Sequence, residues 1–296
     1  MLKVGLLGAG RIAGVHATAI SSNPGSMLVA VSDYIAESAE KLATEYGCTA
    51  RSTEEILSDP EIDAVLIATS TDTHSDLIEA ATAAGKAVLC EKPVDLSLER
   101  ARACQAVAAT NGKPVMIGFN RRFDPNFGAL KSALDAGEIG KAELLSITSF
   151  DPAPPPLAYV KVSGGLFRDM MIHDFDMARY VTGSDVVEVF ARGAVRVDPA
   201  IGEAGDIDTA VVLLTHENGA LTTIDNSRRA AYGYDQRVEA FGNLGKAASD
   251  NYHDFNSVLA TEAGYRRPPL QNFFLERYGQ SYLDQWAAFL DYVLDF

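Results

Sequence analysis

Gly8, Gly10 and Ala13 are spaced so that a turn of the chain could hold a pyrophosphate. The segment Gly8-Ala9-Gly10-Arg11-Ile12-Ala13 fits G-x-G-x-x-G/A, and it directly follows a short apolar run. In that pattern the first glycine allows the tight turn and the second lets phosphates approach the backbone. The small third residue lets a helix pack close to a strand. Arg11 and Ile12 open that helix, whose free N–H groups and positive dipole favour an anion. The bland alternative is a glycine turn with no ligand. Asp33 stands 25 residues after Gly8, at the end of a second apolar run. A carboxylate there can accept both hydroxyls of an adenosine ribose and repel a 2′-phosphate. Tyr34 follows it rather than arginine, so the pattern favours NAD over NADP. Asp33 could also cap the next helix.

Two further segments carry proton and charge chemistry. Asp169 and His173 are four apart, which on one helix puts them on one face. Imidazole suits proton transfer because its ordinary pKa, about 6.5, lies near working pH. The same pair, with Asp174 and Asp176, could instead approach a metal, or His173 could be a satisfied structural histidine. No further His or Cys cluster completes a metal site, so no metal is expected. Cys90-Glu91-Lys92-Pro93 ends another apolar run. Pro93 biases Lys92 toward extended backbone at the edge where parallel sheets bind ligands. An ammonium there could stabilise a developing alkoxide, or Lys92 could be an ordinary solvated lysine.

The elements that must position these residues fall into two patterns. Residues 3–8, 27–33, 62–69, 86–90 and 114–119 are short runs rich in Val, Ile and Leu, as suits strands buried on both faces. Helical stretches at 11–21, 35–46, 73–84 and 97–110 lie between them. This alternation predicts a doubly wound α/β domain over residues 1–120. The remainder, 121–296, reads as an α+β domain for substrate binding and oligomerisation. It has helices at about 124–136, 166–181 and 273–295, and strands at 141–150, 186–197, 208–227 and 234–242. The segment 151–165 is too proline-dense for a helix. Glu217-Asn218-Gly219 predicts a hairpin turn, and successive strands predict a mostly antiparallel open sheet.

Composition removes whole classes of function. The formal charge is -15. Residues 1–120 hold 9 basic against 15 acidic side chains, and the rest 16 against 25. No phosphate-backbone footprint exists, so nucleic acid is not expected as a partner. No apolar run approaches the roughly 18 residues of a membrane span, and the N-terminus lacks a signal-peptide cleavage pattern. Cys48, Cys90 and Cys104 form no C-x-x-C motif. Reduced thiols in a cytoplasmic protein are expected.

With the glycine turn, IATSTDTHSDLIEAA (67–81) and the Glu-Lys-Pro segment, the chain resembles the Gfo/Idh/MocA oxidoreductase family. GFNRRFDPNF (118–127), SGGLFRDMMIHDFDMARY (163–180) and DNSRRAAYGYDQRVEAFG (225–242) look like its inositol 2-dehydrogenase branch. The resemblance implies that Lys92 reaches the reacting hydroxyl, His173 accepts its proton, and Asp169 binds or orients substrate. Thr69, Ser70, His74 and Glu91 would join Gly8, Gly10, Arg11, Ile12, Asp33 and Lys92 around NAD. Either His74 would sit beside the nicotinamide or it would only cap its helix. Asn120, Arg121, Asp151 and Tyr234 would bind ring hydroxyls alongside Asp169 and His173. Arg121, Asp151 and Tyr234 could also be structural. The implied activity is oxidation of a cyclic polyol, foremost myo-inositol to 2-keto-myo-inositol. Another inositol or sugar, a non-catalytic NAD-binding regulator and an NAD-using glycosidase are the rivals. A homo-oligomer, tetramer or dimer, is expected through the second sheet. Two departures stand out. Thr69-Ser70-Thr71 replaces the family's Thr-Pro, and the chain ends at Phe296, where relatives continue, so a truncated chain is expected.

Overall fold

The apolar runs of the first 120 residues become strands of one parallel sheet. The computed structural model describes residues 1–296. Its opening elements are β1 (Leu2–Leu7), α1 (Arg11–Ser22), β2 (Ser26–Ser32), α2 (Ala36–Tyr46), β3 (Thr49–Ala50) and α3 (Thr53–Ser58). They continue through β4 (Ala64–Ile67), α4 (His74–Ala83), β5 (Ala87–Cys90), α5 (Leu98–Asn111) and β6 (Val115–Ile117). The strand order is β3-β2-β1-β4-β5-β6, and every pairing is parallel. β4 and β5 are buried at every position, as a sheet covered on both faces requires. The chain reverses its winding between β1 and β4, so their C-terminal ends open the crevice where such sheets bind ligands. The short β3 and α3 are not apparent from apolar periodicity. α3 starts from a capping box in which Ser52 and Glu55 satisfy each other's backbone N–H.

The second unit follows with α6 (Pro125–Asp135), β7 (Ala142–Phe150), α7 (Leu157–Val160), α8 (Gly165–Asp169), α9 (Ile172–Thr182) and β8 (Val186–Ala194). Then come α10 (Pro199–Glu203), β9 (Thr209–His216), β10 (Leu221–Ser227), β11 (Asp235–Gly242) and β12 (Gly245–Ser249). The small hairpin β13 (Leu259–Thr261) and β14 (Gly264–Arg266) precedes α11 (Phe274–Arg277) and α12 (Gly279–Asp295). The sheet order is β12-β11-β7-β10-β9-β8. It is mixed, because β7 and β10 pair parallel while the other pairs are antiparallel. The expected hairpin joins β9 to β10, with Gly219 at φ +88. Alternation puts Val212, Leu214 and Ile224 in the core. Val211, Leu213 and Val189 on the opposite face stay exposed.

Three expectations are corrected. The helix of 166–181 is two helices. Met170 is 6% and Met171 0% exposed, and burying both neighbours turns the chain. The Met171 N–H reaches back to the Leu166 carbonyl, and the His173 N–H bonds Met170, so the i to i−4 ladder is interrupted. The proline-rich segment still forms one helical turn, α7, once its three consecutive prolines have passed. Finally, the last helix does not belong with residues 121–279. The chain divides into Met1–Asn120 with Gln280–Phe296, and Arg121–Gly279. α12 packs Trp286, Phe289 and Leu290 into the core of the first sheet, and the Trp286 indole donates to Ser26 Oγ at 2.8 Å. Each such side chain contributes roughly 2 kcal/mol by burial, which explains why the helix returns to the first unit.

Candidate active site

Loops at the C-terminal ends of β1, β2, β4, β5 and β6 carry the candidate residues of the first unit. Gly8 has φ +101, and a Cβ there would lie 2.5 Å from the Ala68 carbonyl oxygen. The turn after β1 therefore admits only glycine at this point. Gly10 has open space around its would-be Cβ, where phosphates could approach. It is also the N-cap of α1 and has no side-chain cap, so the first N–H groups of that helix are left to a ligand. Ala13 is fully buried where the helix meets the strand. The exposed Arg11 and half-buried Ile12 open the helix as expected. Asp33 accepts from Ala9 N at 2.6 Å and from Ile35 N at 2.8 Å. It ties the glycine turn to the end of β2, and Ile35 rather than Asp33 caps α2. A glycine cradle, an uncapped helix and a carboxylate at the second strand end together fit a dinucleotide.

After β4, Thr69 and Thr73 hydroxyls share a hydrogen bond of 2.7 Å around a 3-10 turn, with Ser70 exposed at its start. His74 is buried. Its Nδ1 faces the Pro93 carbonyl at 2.8 Å and its Nε2 the Thr69 carbonyl at 3.2 Å. The imidazole thus bridges two loops instead of simply capping α4. After β5, Glu91 bonds His16 on α1, and Lys92 stands half-buried before a cis peptide to Pro93. Burial works against the Glu91 carboxylate, but the hydrogen bond and charge of His16, helped by Lys92, hold its pKa below the usual range. Asn120 is buried and donates to Ser281 at 3.4 Å.

The second unit gathers Arg121, Asp151, Asp169 and Tyr234 into one ionic cluster. Arg121 pairs with Asp174 at 2.6 Å, and Asn226 donates to the other Asp174 oxygen at 2.8 Å. Asp169 ends α8 and accepts from the Tyr159 hydroxyl at 2.7 Å and from Arg228 at 3.3 Å. His173 lies at the start of α9, beside Asp174. Asp169 and His173 therefore sit on different helices, which replaces the one-face arrangement read from their spacing. Asp151 follows β7, its N–H bonded to the Ser227 carbonyl. Burial pushes its carboxyl up to about 7 against the pull of Arg228 and Arg121, with Asp169 and Asp174 adding to the rise. Burial likewise pushes Asp174 up to about 6 despite its bonds from Arg121 and Asn226. Tyr234 is buried edge-on to Phe273 and Tyr278. The sequence alone suggested no role for Arg228, weighed Asp174 only as a neighbour of a possible metal, and offered Tyr278 only as part of a core-facing aromatic stripe. Arg228 lies inside one of the quoted family segments, and a fully buried arginine is the feature a burial pattern could have flagged. No three His, Cys, Asp or Glu side chains are grouped to hold a metal ion, and no helix is long and apolar enough to cross a membrane.

Known proteins share this fold. Residues 2–119 match the family described as oxidoreductases with an NAD-binding Rossmann fold, and residues 127–248 match the GFO/IDH/MocA C-terminal domain. The chain belongs to the GFO/IDH/MocA oxidoreductase family. It is 50% identical to the inositol 2-dehydrogenase of Rhizobium meliloti (strain 1021) over 98% of this chain and 88% of that one. It is 49% identical to the myo-inositol 2-dehydrogenase of Thermotoga maritima over 99% and 88%. The crystal structure of scyllo-inositol dehydrogenase from Lactobacillus casei, with bound NAD(H) and scyllo-inositol, superposes with a TM-score of 0.91 at 31% identity. That match covers 100% of this chain and 89% of that one. The first unit is an NAD-binding domain and the chain an NAD-dependent oxidoreductase acting on CH–OH groups.

Proposed function

We propose that this protein oxidises myo-inositol to 2-keto-myo-inositol. The observation that carries the reading is Lys92 at the C-terminal edge of an NAD-binding sheet, in a chain about half identical to two inositol 2-dehydrogenases. NAD, held by the glycine turn, α1 and Asp33, supplies the hydride acceptor when bound. Lys92 stabilises negative charge on the reacting oxygen. The His173 imidazole takes the hydroxyl proton, and Asp169 orients the substrate and that imidazole. Asp151, Tyr234, Arg121 and Asn120 complete the recognition of ring hydroxyls. Of these, Arg121 acts through its pairing with Asp174, and Asn120 through its loop. Thr69, Ser70, His74 and Glu91 shape the cofactor side.

The experiment is a scan of NADH absorbance with NAD against inositol isomers and aldoses. Fastest reduction with myo-inositol is expected. Reduction only with aldoses, only with scyllo-inositol, or hydrolysis without NADH accumulation would each replace the reading. We also propose that the exposed apolar face of the second sheet, with Val189, Val211 and Leu213, packs against another copy of this chain. Light scattering should give a tetramer or dimer, and Leu213→Arg should yield a smaller species. An unchanged mass would remove that interface.

A further inference from the structure

The loop that carries Lys92 is gripped on both sides by buried histidines. Ahead of the lysine, Glu91 is packed from three directions. Its N–H donates to the Ile67 carbonyl at 2.9 Å. A Cβ at Gly118 would stand 3.2 Å from its Cα and side chain, so the glycine makes room for it. Its Oε1 lies 2.7 Å from His16 Nε2, and the two side chains are only 12% and 1% exposed. Its other oxygen, Oε2, accepts the N–H of Lys92 at 3.3 Å. The His16 ring is itself wedged edge-on against Tyr282, with centroids 5.3 Å apart. Beyond the lysine, the Pro93 carbonyl faces His74 Nδ1, and the next carbonyl, Val94, accepts from Ser75 at 3.1 Å.

We propose that His16 and His74 are positioning residues for Lys92, clamping the residue before it and the residue after it. The inference rests on the role proposed above for Lys92. A lysine reaches through four rotatable bonds, so its ammonium meets a developing oxyanion only if its backbone is held. His16 must present an Nε2–H, since the atom facing it is a carboxylate oxygen. It thereby fixes the Glu91 carboxylate, whose other oxygen accepts the Lys92 N–H. His74 reaches Pro93 from α4 through Nδ1, the shorter of its two approaches to carbonyl oxygens, and its Nε2 packs 3.2 Å from the Thr69 carbonyl. The two grips come from different helices and act on opposite ends of a three-residue turn. The hydrogen bonds to the residues flanking Lys92 therefore define where its side chain starts.

The geometry makes the test atom-specific. A glutamine amide nitrogen reaches where a histidine Nε2 stands, and an asparagine amide nitrogen where Nδ1 stands. His16→Gln should therefore keep turnover within about threefold of the parent, and His74→Asn should turn over about tenfold faster than His74→Gln. His16→Asn and His74→Gln should lose about tenfold or more in kcat, because small misplacements of catalytic groups are costly. For the His16 variants NADH affinity, read by fluorescence, should stay within about twofold, and the isotope effect on kcat with C2-deuterated myo-inositol should rise as hydride transfer becomes limiting. In a Lys92→Ala background the His16→Asn loss should disappear, since it acts through that lysine. Should one variant fail to fold, the other arm carries the test. If Lys92→Ala itself turns over normally, the role of Lys92 is wrong. If Lys92→Ala is inactive while His16→Asn and His74→Gln are not, the clamp is overturned. Equal losses in both members of a Gln/Asn pair would overturn it too.

Discussion

The two units prepare for chemistry in opposite ways. In the first, recognition is built from backbone: a glycine turn, an uncapped helix start, and loop carbonyls held by His74. Its candidate site holds a buried carboxylate–imidazole contact, Glu91 with His16. In the second, the site is a network of buried charges, with Arg121 on Asp174, Arg228 on Asp169 and Arg277 on Asp124. Backbone donors suit a cofactor whose phosphates and ribose are always the same. Side-chain charges, each satisfied only by a particular partner, suit a ring of hydroxyls that must be told from its isomers. The first unit should therefore fail through geometry, and the second through unpaired charge.

The largest effect should come from Lys92. In the proposed mechanism Lys92→Ala removes the charge that stabilises the forming alkoxide, and turnover should fall about 10³-fold. NADH binding should remain, because the phosphate cradle is untouched. A fall in cofactor affinity as large as the fall in kcat would mean that Lys92 belongs to the cofactor side alone.

Next is Arg121→Met. It leaves Asp174 buried without its strongest partner, and breaking such a pair costs about 3 kcal/mol or more. The loss should be greatest near pH 8. As pH falls through the Asp174 value of about 6, the carboxyl takes a proton, the lost partner matters less, and the gap to the parent should narrow. Denaturant unfolding at pH 8 and pH 5 reads both numbers, and a gap that widens in acid would sink the argument. Gly8→Ala probes the other style of site. Its Cβ would strike the Ala68 carbonyl from a positive-φ position, a strain of about 1–2 kcal/mol before any clash. NADH affinity should drop at least about tenfold, with the unfolding of the second unit unaffected.

The contrast also explains what the sequence made legible. Backbone sites announce themselves locally. Gly8, Gly10 and Asp33 could be read because a turn, a helix start and a strand end lie within one short stretch, and the strands around them are continuous apolar runs. Charge clusters do not. Arg121 meets Asp174 across 53 residues, Asp169 meets Arg228 across 59, and Asp124 meets Arg277 across 153. Nothing in the local pattern of any of these residues names its partner. The break between Asp169 and His173 was equally hidden, because Met170 and Met171 are good helix formers and only tertiary burial forces the turn. The parallel pairing of β7 with β10 and the return of α12 to the first core are likewise choices among cores. The spacing of Tyr278, Tyr282, Trp286 and Phe289 shows that the last helix must bury a face, and cannot show against which sheet.

The smallest effect, and the sharpest on sign, concerns Asp151. In the folded chain its carboxyl titrates at about 7, against an ordinary value of 3.8. Below pH 4 it is protonated whether the chain is folded or not, so it contributes nothing to the slope. Between about 4 and 7 the folded state holds a proton that the unfolded state has released, so stability falls as pH rises. Above 7 both states are ionised and the cost of a buried charge is fully present. Asp151→Asn removes that cost while keeping the shape. Its melting temperature should match the parent near pH 4 and exceed it by about 3 °C or more near pH 8, while KM for the proposed inositol substrate rises because a proposed hydroxyl partner has changed. A melting-temperature gap that opens toward acid would mean that Arg121 and Arg228, rather than burial, dominate at this carboxyl. The buried charges of the second unit would then be a source of stability as well as of recognition.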